Sequence, residues 1–250
     1  LIFKNKVYIK PGTKFLINKD INIVFLNTVN AMGTKKNPII FKKMNNNYLN
    51  NNWGSIVVQG QKTINSKFQN IIVNGGSGGK VDQFIYTSMF SLHDTKDIVL
   101  KNITLVNNKI YDDALHLVYC KNILLEKIII KEAFGDALDI DISNEIFIKN
   151  SMFINPKNDS IDIMESKVLI DSTEIYNSGD KGISIGENSK VVIHNSHLKS
   201  NNIAIAVKDN SIAKVLYTDF NNNVIQVASY QKNYKYGNGG KINIFKSYFD

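Results

Sequence analysis

The sequence predicts an all-β protein, a single-stranded right-handed parallel β-helix with three parallel sheets and about ten coils of roughly 20–25 residues. Six short segments repeat, with first residues 23, 23, 22, 22 and 20 positions apart. Each alternates apolar and variable residues, the pattern of a strand with one buried face. Two further short apolar segments follow most of them, which leaves no room for a helix. The six segments begin at Ala114, Ala137, Ser160, Gly182, Ala204 and Val224.

The first 110 residues predict the opening coils of the same stack. Pro11-Gly12-Thr13 is a turn between two apolar runs, and Met89-Phe90-Ser91-Leu92 matches the repeat frame 25 residues before Ala114. Residues 45–52 predict a polar loop, and residues 74–79 predict a loop that protrudes between two coils. We expect one domain over residues 1–250, taken from a longer or processed chain.

The repeat frame predicts which residues fill the core. Its second positions should form one inward row: Leu115, Leu138, Ile161, Ile183, Ile205 and Ile225. Polar turns such as those at Asn150 and Asn195 predict asparagine side chains that hydrogen-bond from coil to coil. A β-sandwich is the alternative all-β fold, but it needs Asn-Gly or Asp-Gly hairpins, which are nearly absent between the matching strands.

Composition narrows the function classes. The chain has 250 residues, 43% of them hydrophobic, and a net charge of +8. All 30 basic residues are lysine, which indicates a solvated surface or attraction to an acidic polymer. Nucleic acid is a poor partner because base readout relies on arginine. Cys120 is the single cysteine and reads as a packing residue. No run of apolar residues is long enough to predict a transmembrane helix.

An acidic stripe accompanies the apolar frame. Stacking places Asp113, Asp136, Asp159 and Lys181 in one row, and His116, Asp139, Asp162 and Ser184 in another. Asp139 and Asp162 should lie about 5 Å apart on one face. Carboxylates that close repel each other unless a cation, a lysine or a shared proton offsets the repulsion. The stripe therefore predicts either a Ca²⁺ site or hydrated turn acids. The predicted metal ligands are Asp136, Asp139, Asp159 and Asp162.

Histidines and aromatic residues give weaker signals. The four histidines, His93, His116, His194 and His197, are too scattered along the sequence to predict a histidine metal site. Aromatic residues cluster near the C-terminal end, where they predict a cap on the last coil or a sugar-stacking platform. They are Tyr230, Tyr234, Tyr236, Tyr248 and Phe249.

Several motifs resemble right-handed parallel β-helix proteins of the pectin-lyase-like superfamily. The N-terminal coils of many secreted members are similar to Lys10-Pro11-Gly12-Thr13, Ala31-Met32-Gly33-Thr34, Pro38-Ile39-Ile40-Phe41 and Trp53-Gly54-Ser55-Ile56. Residues 158–162, 179–189, 208–211 and 230–232 resemble a bacterial surface or secreted subgroup, some of whose members lie beside a spore-coat-kinase-like module. The resemblance implies the β-helix fold and a secreted or cell-surface protein, but no established activity.

Enzymes of this fold suggest a lyase more than a hydrolase. Polygalacturonase-type hydrolases carry Gly-His-Gly and Arg-Ile-Lys after their acids, whereas this chain has Lys181 in the histidine position and Ala206-Val207-Lys208 in the second motif. Calcium-dependent pectate lyases combine an acidic cation site with an arginine or lysine base, which implies Lys208 as the base. Lys181 would orient the substrate carboxylate or pair with Asp159.

The predicted function is therefore to act on or bind an acidic polysaccharide. The predicted catalytic residues are Lys208, Lys181, Asp159 and Asp162, and the predicted substrate-binding residues are Glu187, Asp180, Asp209, Tyr230 and Lys232. Two alternatives stay open: a non-catalytic glycan-binding module and a structural spacer of a bacterial surface protein.

Overall fold

A computed structural model describes residues 1–44 and 52–250. The polar loop predicted at residues 45–52 lies outside the described residues, apart from Asn52. The strands, in chain order, are β1 (Ile2–Phe3), β2 (Val7–Ile9), β3 (Lys14–Ile17), β4 (Ile23–Phe25), β5 (Val29–Met32), β6 (Ile39–Lys43), β7 (Ile56–Gln59), β8 (Lys67–Asn74), β9 (Gly79–Val81), β10 (Phe84–Tyr86), β11 (Phe90–His93), β12 (Lys96–Val106), β13 (Leu115–Val118), β14 (Lys121–Lys131), β15 (Leu138–Asp141), β16 (Asn144–Lys149), β17 (Met152–Ile154), β18 (Ile161–Met164), β19 (Lys167–Asp171), β20 (Glu174–Tyr176), β21 (Lys181–Gly186), β22 (Lys190–His194), β23 (His197–Lys199), β24 (Ile203–Lys208), β25 (Ile212–Leu216), β26 (Asp219–Asn221), β27 (Ile225–Tyr230), β28 (Lys241–Phe245) and β29 (Tyr248–Phe249).

One strand from each coil joins a ten-stranded sheet, here called sheet A, in the order β1-β4-β7-β11-β13-β15-β18-β21-β24-β27. All of its pairings are parallel. The register pairs Leu115 with Leu138, and Leu138 with Ile161, as the repeat frame predicts. This is the stacking that a parallel β-helix requires, because each strand pairs with the equivalent strand of the next coil. The predicted fold class is therefore confirmed.

The other coil strands form a second parallel surface, here called sheet B. In its early coils the long strands β8, β12 and β14 turn the corner without a break, through the left-handed residues Asn70, Asn102 and Lys127. In later coils the same path divides into two strands, such as β16 and β17. Sheet B thus supplies the other two of the three parallel faces that the sequence predicts. The protrusion predicted at residues 74–79 leads into an antiparallel hairpin of β9 and β10.

Apolar side chains fill the interior without a gap along the axis. Ile161 and Ile183 are fully buried, and the ends are closed by stacked rings, Phe15 on Phe41 and Phe220 on Phe249. The predicted inward position of Ile225 is wrong: Ile205 pairs with Val227, and Ile225 is 44% exposed. The last coil keeps the 22-residue spacing of its neighbours, which pairs Ile203 with Ile225. The predicted repeat segment, which assumed a spacing of 20, therefore lies two residues out of register.

Polar ladders hold the turns between sheets A and B. The side-chain Oγ of Ser143, Ser166, Ser189 and Ser211 each accepts the backbone N–H of the equivalent residue one coil earlier, at 2.8–3.1 Å. Asparagine pairs also stack, for example Asn210 on Asn188 at 2.8 Å. At the predicted turn, Asn195 donates to Ser172 Oγ at 3.1 Å rather than to another asparagine. These bonds satisfy buried polar groups that would otherwise destabilise the turn. Within the described residues, no helix has the length and apolar character needed to cross a membrane.

Candidate functional site

The outer face of sheet A carries the predicted polar row. His116 pairs with Asp139, Asp139 with Asp162, and Asp162 with Ser184, each on successive coils. These side chains point outward because the residues on both sides of them in each strand point into the core. The structure therefore brings together the row that the sequence predicts, with Asp139 and Asp162 at its centre and His116 and Ser184 on either side.

A second row, at the start of the same strands, is buried rather than solvent-facing. Asp136 Oδ1 accepts the backbone N–H of Asp159 at 2.7 Å and the side-chain amide of Asn158 at 2.7 Å. Asp159 Oδ1 accepts the backbone N–H of Lys181 at 2.8 Å. Each carboxylate thus binds the backbone of the following coil. Asp136 and Asp159, predicted as metal ligands, have at least one oxygen engaged in holding the coils together.

Burial and mutual repulsion disfavour the charged forms of these acids. Burial, with repulsion from Asp141 and Asp113, raises the pKa of Asp139 to about 10. Burial, reinforced by Asp112, raises the pKa of Asp113 to about 8. The same cause, opposed by hydrogen bonds, raises the pKa of Asp136 to about 7. The carboxyl groups of the cluster therefore cannot all be ionised at once unless a bound cation offsets their repulsion. Without one, some of them stay protonated.

Two histidines belong to this face, which corrects the expectation that the histidines are scattered. His93 and His116 sit on adjacent coils, with ring centroids 5.4 Å apart. His116 Nε2 lies 3.2 Å from Asp141 Oδ2 and 3.6 Å from Asp139 Oδ2. The repeat frame already held this signal, since His116 fills the position that Asp139 fills one coil later. Distance along the sequence is a poor guide here because stacking brings residues 23 positions apart into contact.

The environment of His93 differs from that of His116. His93 lies between His116 and the ring of Tyr86, whose centroid is 5.1 Å away. Burial, with a smaller contribution from His116, lowers the pKa of His93 to about 4. Buried nitrogens of both rings, His93 Nε2 and His116 Nδ1, have no hydrogen-bond partner among the described residues. His93 is thus a neutral imidazole at physiological pH.

Lys181 forms the ion pairs that the sequence predicts for it. Its Nζ contacts the carboxylate of Asp180 directly and lies 3.6 Å from Asp159 Oδ1. The pKa of Lys181 is raised, because these two acids outweigh the opposing effect of burial. Lys181 is therefore a cation fixed at the edge of the acidic cluster. The predicted substrate-binding residue Asp180 is its partner.

Lys208, which the sequence predicts as the base, is buried and only 4% exposed. Its Nζ donates to Ser184 Oγ at 2.7 Å, at the end of the row that begins with His116. Its Cε packs beside the backbone of Gly186. Glu187 lies nearby. Burial raises the pKa of Glu187, although the charge of Lys208 opposes the shift. Lys208 thus supplies a positive charge beneath the surface.

Residues 230–240 fold back over this end of the face. Asp209 is fully buried, and its Oδ1 accepts the backbone N–H groups of Lys232 and Asn233 at 2.7 Å. Tyr236 reaches Glu165 Oε1 at 3.3 Å. Asp209, predicted to bind substrate, therefore holds this segment in place. Of the C-terminal aromatic residues, Phe249 caps the last coil, whereas Tyr234 is 89% exposed.

Within the described residues, two groups of three side chains place their ligand atoms within 4.8 Å of one another. One contains Asp113, His116 and Asp139, and the other contains Asp112, Asp113 and Asp136. The predicted quartet is thus divided, with Asp136 and Asp139 in different groups and Asp159 and Asp162 in neither. Neither Asp112 nor Asp113 is in the predicted ligand set, although Asp113 belongs to the predicted row with Asp136 and Asp159.

The sequence matches a family described as the right handed beta helix region over residues 88–239. The chain belongs to this family. The match covers more than half of the chain, including every residue of the polar row from His116 to Lys208. No curated protein matches the sequence.

Solved structures of similar fold share little sequence identity with this chain. A variant of the periplasmic alginate epimerase AlgG aligns with a TM-score of 0.65 and 9% identity, over 92% of this chain and 70% of that protein. Pectate lyase Pel9A aligns at 0.61 and 12%, over 86% and 61%. The A-module of the Azotobacter vinelandii mannuronan C-5 epimerase AlgE6 aligns at 0.50 and 10%, over 98% and 91%. At these identities the likeness concerns the fold.

Proposed function

We propose that this chain is a carbohydrate-active β-helix domain that binds an acidic polysaccharide along the outer face of sheet A and cleaves it as a lyase. One observation carries the proposal: successive coils bring His116, Asp139 and Asp162 into one row that ends at the Lys208–Ser184 pair. A base, a cluster of acids and a buried cation thus share one face. A polysaccharide can follow such a face from coil to coil.

The reaction needs a base near the proton on sugar C5. The base removes that proton, a double bond forms between C4 and C5, and the C4–O bond breaks with its electrons on the leaving oxygen. We assign the base to His116, because imidazole exchanges protons near neutral pH. Its Nε2 faces the row and lies 3.2 Å from Asp141 Oδ2.

Lys208 is the base that the sequence predicts, but its surroundings suit a different task. Its Nζ already donates to Ser184 Oγ, and the side chain is only 4% exposed, so it cannot approach the C5 proton of a bound polymer. We therefore propose that Lys208 attracts the substrate carboxylate. Lys181 would have the same role at the other edge of the cluster.

The acids of the row fit a hard cation. Asp112, Asp113 and Asp136 offer carboxylate oxygens, the ligands that Ca²⁺ prefers, and burial among like charges raises the pKa of Asp113 and Asp136. We propose Asp112, Asp113 and Asp136 as the converging ligands; Asp139, Asp159 and Asp162, the other members of the predicted quartet, stay proposed as neighbouring acids whose charge the ion would offset. When bound, Ca²⁺ would neutralise these acids and attract a uronate carboxylate.

The names of the structural neighbours agree with this proposal. They include an alginate epimerase, a pectate lyase and a mannuronan C-5 epimerase. Removal of a C5 proton begins both epimerisation and elimination, so one base can serve either outcome. A secreted or cell-surface location stays a prediction and suits an extracellular polysaccharide. Tyr230 and Lys232, near Lys208, stay proposed substrate contacts.

A glycan-binding module without turnover is the second candidate. The hydrogen bonds of Asp136 and Asp159 to the following coil favour it, because they give these acids a structural task. Binding alone needs no base, and it would leave the polymer intact.

The test is incubation with polygalacturonate and with alginate, followed by ultraviolet absorbance of the unsaturated product. We expect absorbance to rise for the native chain and His116→Ala to lower the rate at least about 100-fold. His197→Ala is the matched control, since His197 pairs with Asp219 on another face. Polymer binding without absorbance would favour the module. A full rate in His116→Ala would overturn the assignment of the base.

A further inference from the structure

A column of lysines runs along sheet B just beyond the serine ladder. All but the last of its members directly follow a Thr, Cys or Ser of that ladder, whereas Lys241 follows Gly240. The backbone N–H groups of Lys121, Lys167, Lys190 and Lys241 donate to the carbonyl of the ladder residue one coil earlier. The register pairs Lys96 with Lys121, and Lys167 with Lys190. We call Lys96, Lys121, Lys167, Lys190 and Lys241 the lysine ladder. Asn144 and Ile212 occupy the two other places in the column.

The lysine ladder carries like charges on adjacent coils. Adjacent coils are about 4.8 Å apart, and like charges in neighbouring strands destabilise a sheet. A nearby column shows the alternative arrangement, because Lys101, Glu126, Lys149 and Asp171 alternate in sign. In that column Lys101 Nζ lies 2.9 Å from Glu126 Oε2. The chain thus neutralises one column and leaves the other positive.

Few acids compensate the ladder. Lys121 Nζ lies 3.8 Å from Glu145 Oε2, whereas Lys167 and Lys190 have no carboxylate within 4.0 Å among the described residues. Both lysines are exposed. Solvent and external anions are therefore what offset their repulsion.

Two open grooves lie beside the ladder, the first mainly apolar and the second mainly polar. Phe147, Leu169 and Val192 line the first, of about 440 Å³, together with Lys167, Lys190 and one acid, Glu145. The second, of about 500 Å³, lies against the same two lysines and contains Asn188, Asn210 and one acid, Glu165. The ladder and its grooves run parallel to the solenoid axis, which is the shape that a linear polymer needs and a flat membrane does not.

We propose that the lysine ladder and the grooves beside it bind a linear acidic polysaccharide. The carboxylates would meet the lysines, the apolar sugar faces would meet Leu169 and Val192, and the hydroxyl groups would meet the asparagines. Phe147 is the single aromatic residue lining the first groove, and single-stranded nucleic acids need successive aromatic platforms. The proposal rests on the proposed function only for the class of polymer.

The ladder lies one turn away from the acids of sheet A. Only Ile142 and Ser143 separate Asp141 from the ladder column at Asn144, and Ser166 alone separates Glu165 from Lys167. The ladder would therefore hold a polyanion close to sheet A, whose own acids repel it. Long chains gain from this second contact, whereas short oligosaccharides that reach only one face do not.

The test is calorimetric titration of the 250-residue chain with polygalacturonate at low ionic strength. A chelator is included, so that binding through divalent cations on sheet A is suppressed and the two sites are told apart. We expect Lys167→Gln with Lys190→Gln to weaken binding about tenfold, and arginine at both positions to preserve it. Lys35→Gln with Lys36→Gln removes the same charge far from the ladder and should change affinity less than about twofold.

Several results would overturn the proposal. Equal losses in the ladder and control variants would show an effect of net charge alone. Equal affinity for single-stranded DNA, or for vesicles of anionic phospholipid, would mean that the ladder does not select a polysaccharide. Unaltered binding in the Lys167→Gln, Lys190→Gln variant, with an unchanged melting temperature, would exclude the ladder directly. Loss of ultraviolet product in the His116→Ala variant, by contrast, bears only on the proposed lyase.

Discussion

At the scale of single residues, the outer face of sheet A brings buried acids close enough to repel one another. Asp139 faces Asp141 and Asp162, and burial raises its pKa to about 10. A carboxyl group whose pKa is higher in the folded than in the unfolded chain stabilises the fold at low pH. That contribution is lost as the pH rises from about 4 toward the folded pKa.

The first prediction concerns this pH dependence. The native chain should lose stability between pH 5 and pH 8 by up to about 1.4 kcal/mol per pH unit for each such acid. Asp139→Asn removes one of them, so it should raise the melting temperature, and more at pH 8 than at pH 5. Thermal denaturation followed by circular dichroism measures this. Asp82→Asn, at the hairpin tip, is the control, and an equal gain there would contradict the account.

The second prediction concerns Lys208. Lys208→Met should destabilise the chain by about 1–3 kcal/mol, because it removes the donor to Ser184 and the charge beside Glu187. Urea denaturation gives the free energy of unfolding. Lys199→Met, at an exposed position, should change it by less than about 0.5 kcal/mol. No loss in Lys208→Met would mean that the ammonium is not needed where the structure places it.

At the scale of elements, much of the coil stack was predictable because the apolar residues repeat with a period of 22–23 residues. The same period fixes the row of His116, Asp139 and Asp162. The hydrogen bonds of Asp136 and Asp159 were not predictable, since they depend on turn backbone that the repeat pattern does not describe. The burial of Lys208 was also not predictable. Residues 230–240, which follow the last repeat segment, fold back onto Asp209 and Glu165.

The third prediction tests the core of one coil. Ile161→Asp should cost several kcal/mol, because it places an unpaired charge in a fully buried position. Ser166→Ala should cost less, about 1–3 kcal/mol, because it leaves the buried N–H of Ser143 without its acceptor. Urea denaturation ranks the two variants. The reverse order would contradict the assignment of the core and the serine ladder.

At the scale of the whole molecule, a column of lysines and a cluster of buried acids lie on different faces. The net charge of +8 comes from lysines, five of which share one column on sheet B, while Asp112, Asp113 and Asp136 converge at the start of the sheet A strands. An acidic polymer would therefore approach through the lysines and reach the acids only if a cation neutralises them. Function at sheet A should depend on such a cation.

The fourth prediction follows from this separation. Added Ca²⁺ at millimolar concentration should raise the melting temperature at pH 8 by mass action. The gain should shrink at pH 5, where protons compete for the same carboxylates. Asp136→Asn should weaken the effect. An unchanged melting temperature, with no heat in calorimetric titration, would remove the metal proposal.

The central claim is that the row on sheet A removes a proton from C5 of an acidic sugar. Its most direct test is proton NMR of a polyuronate incubated with the chain and Ca²⁺ in D₂O. Elimination consumes the C5 proton and gives a vinyl signal, and reversible removal without cleavage replaces that proton by deuterium. We predict loss of the C5 proton signal with the native chain and its persistence with His116→Ala. Persistence of that signal with the native chain, under conditions in which the polymer binds, would contradict the claim.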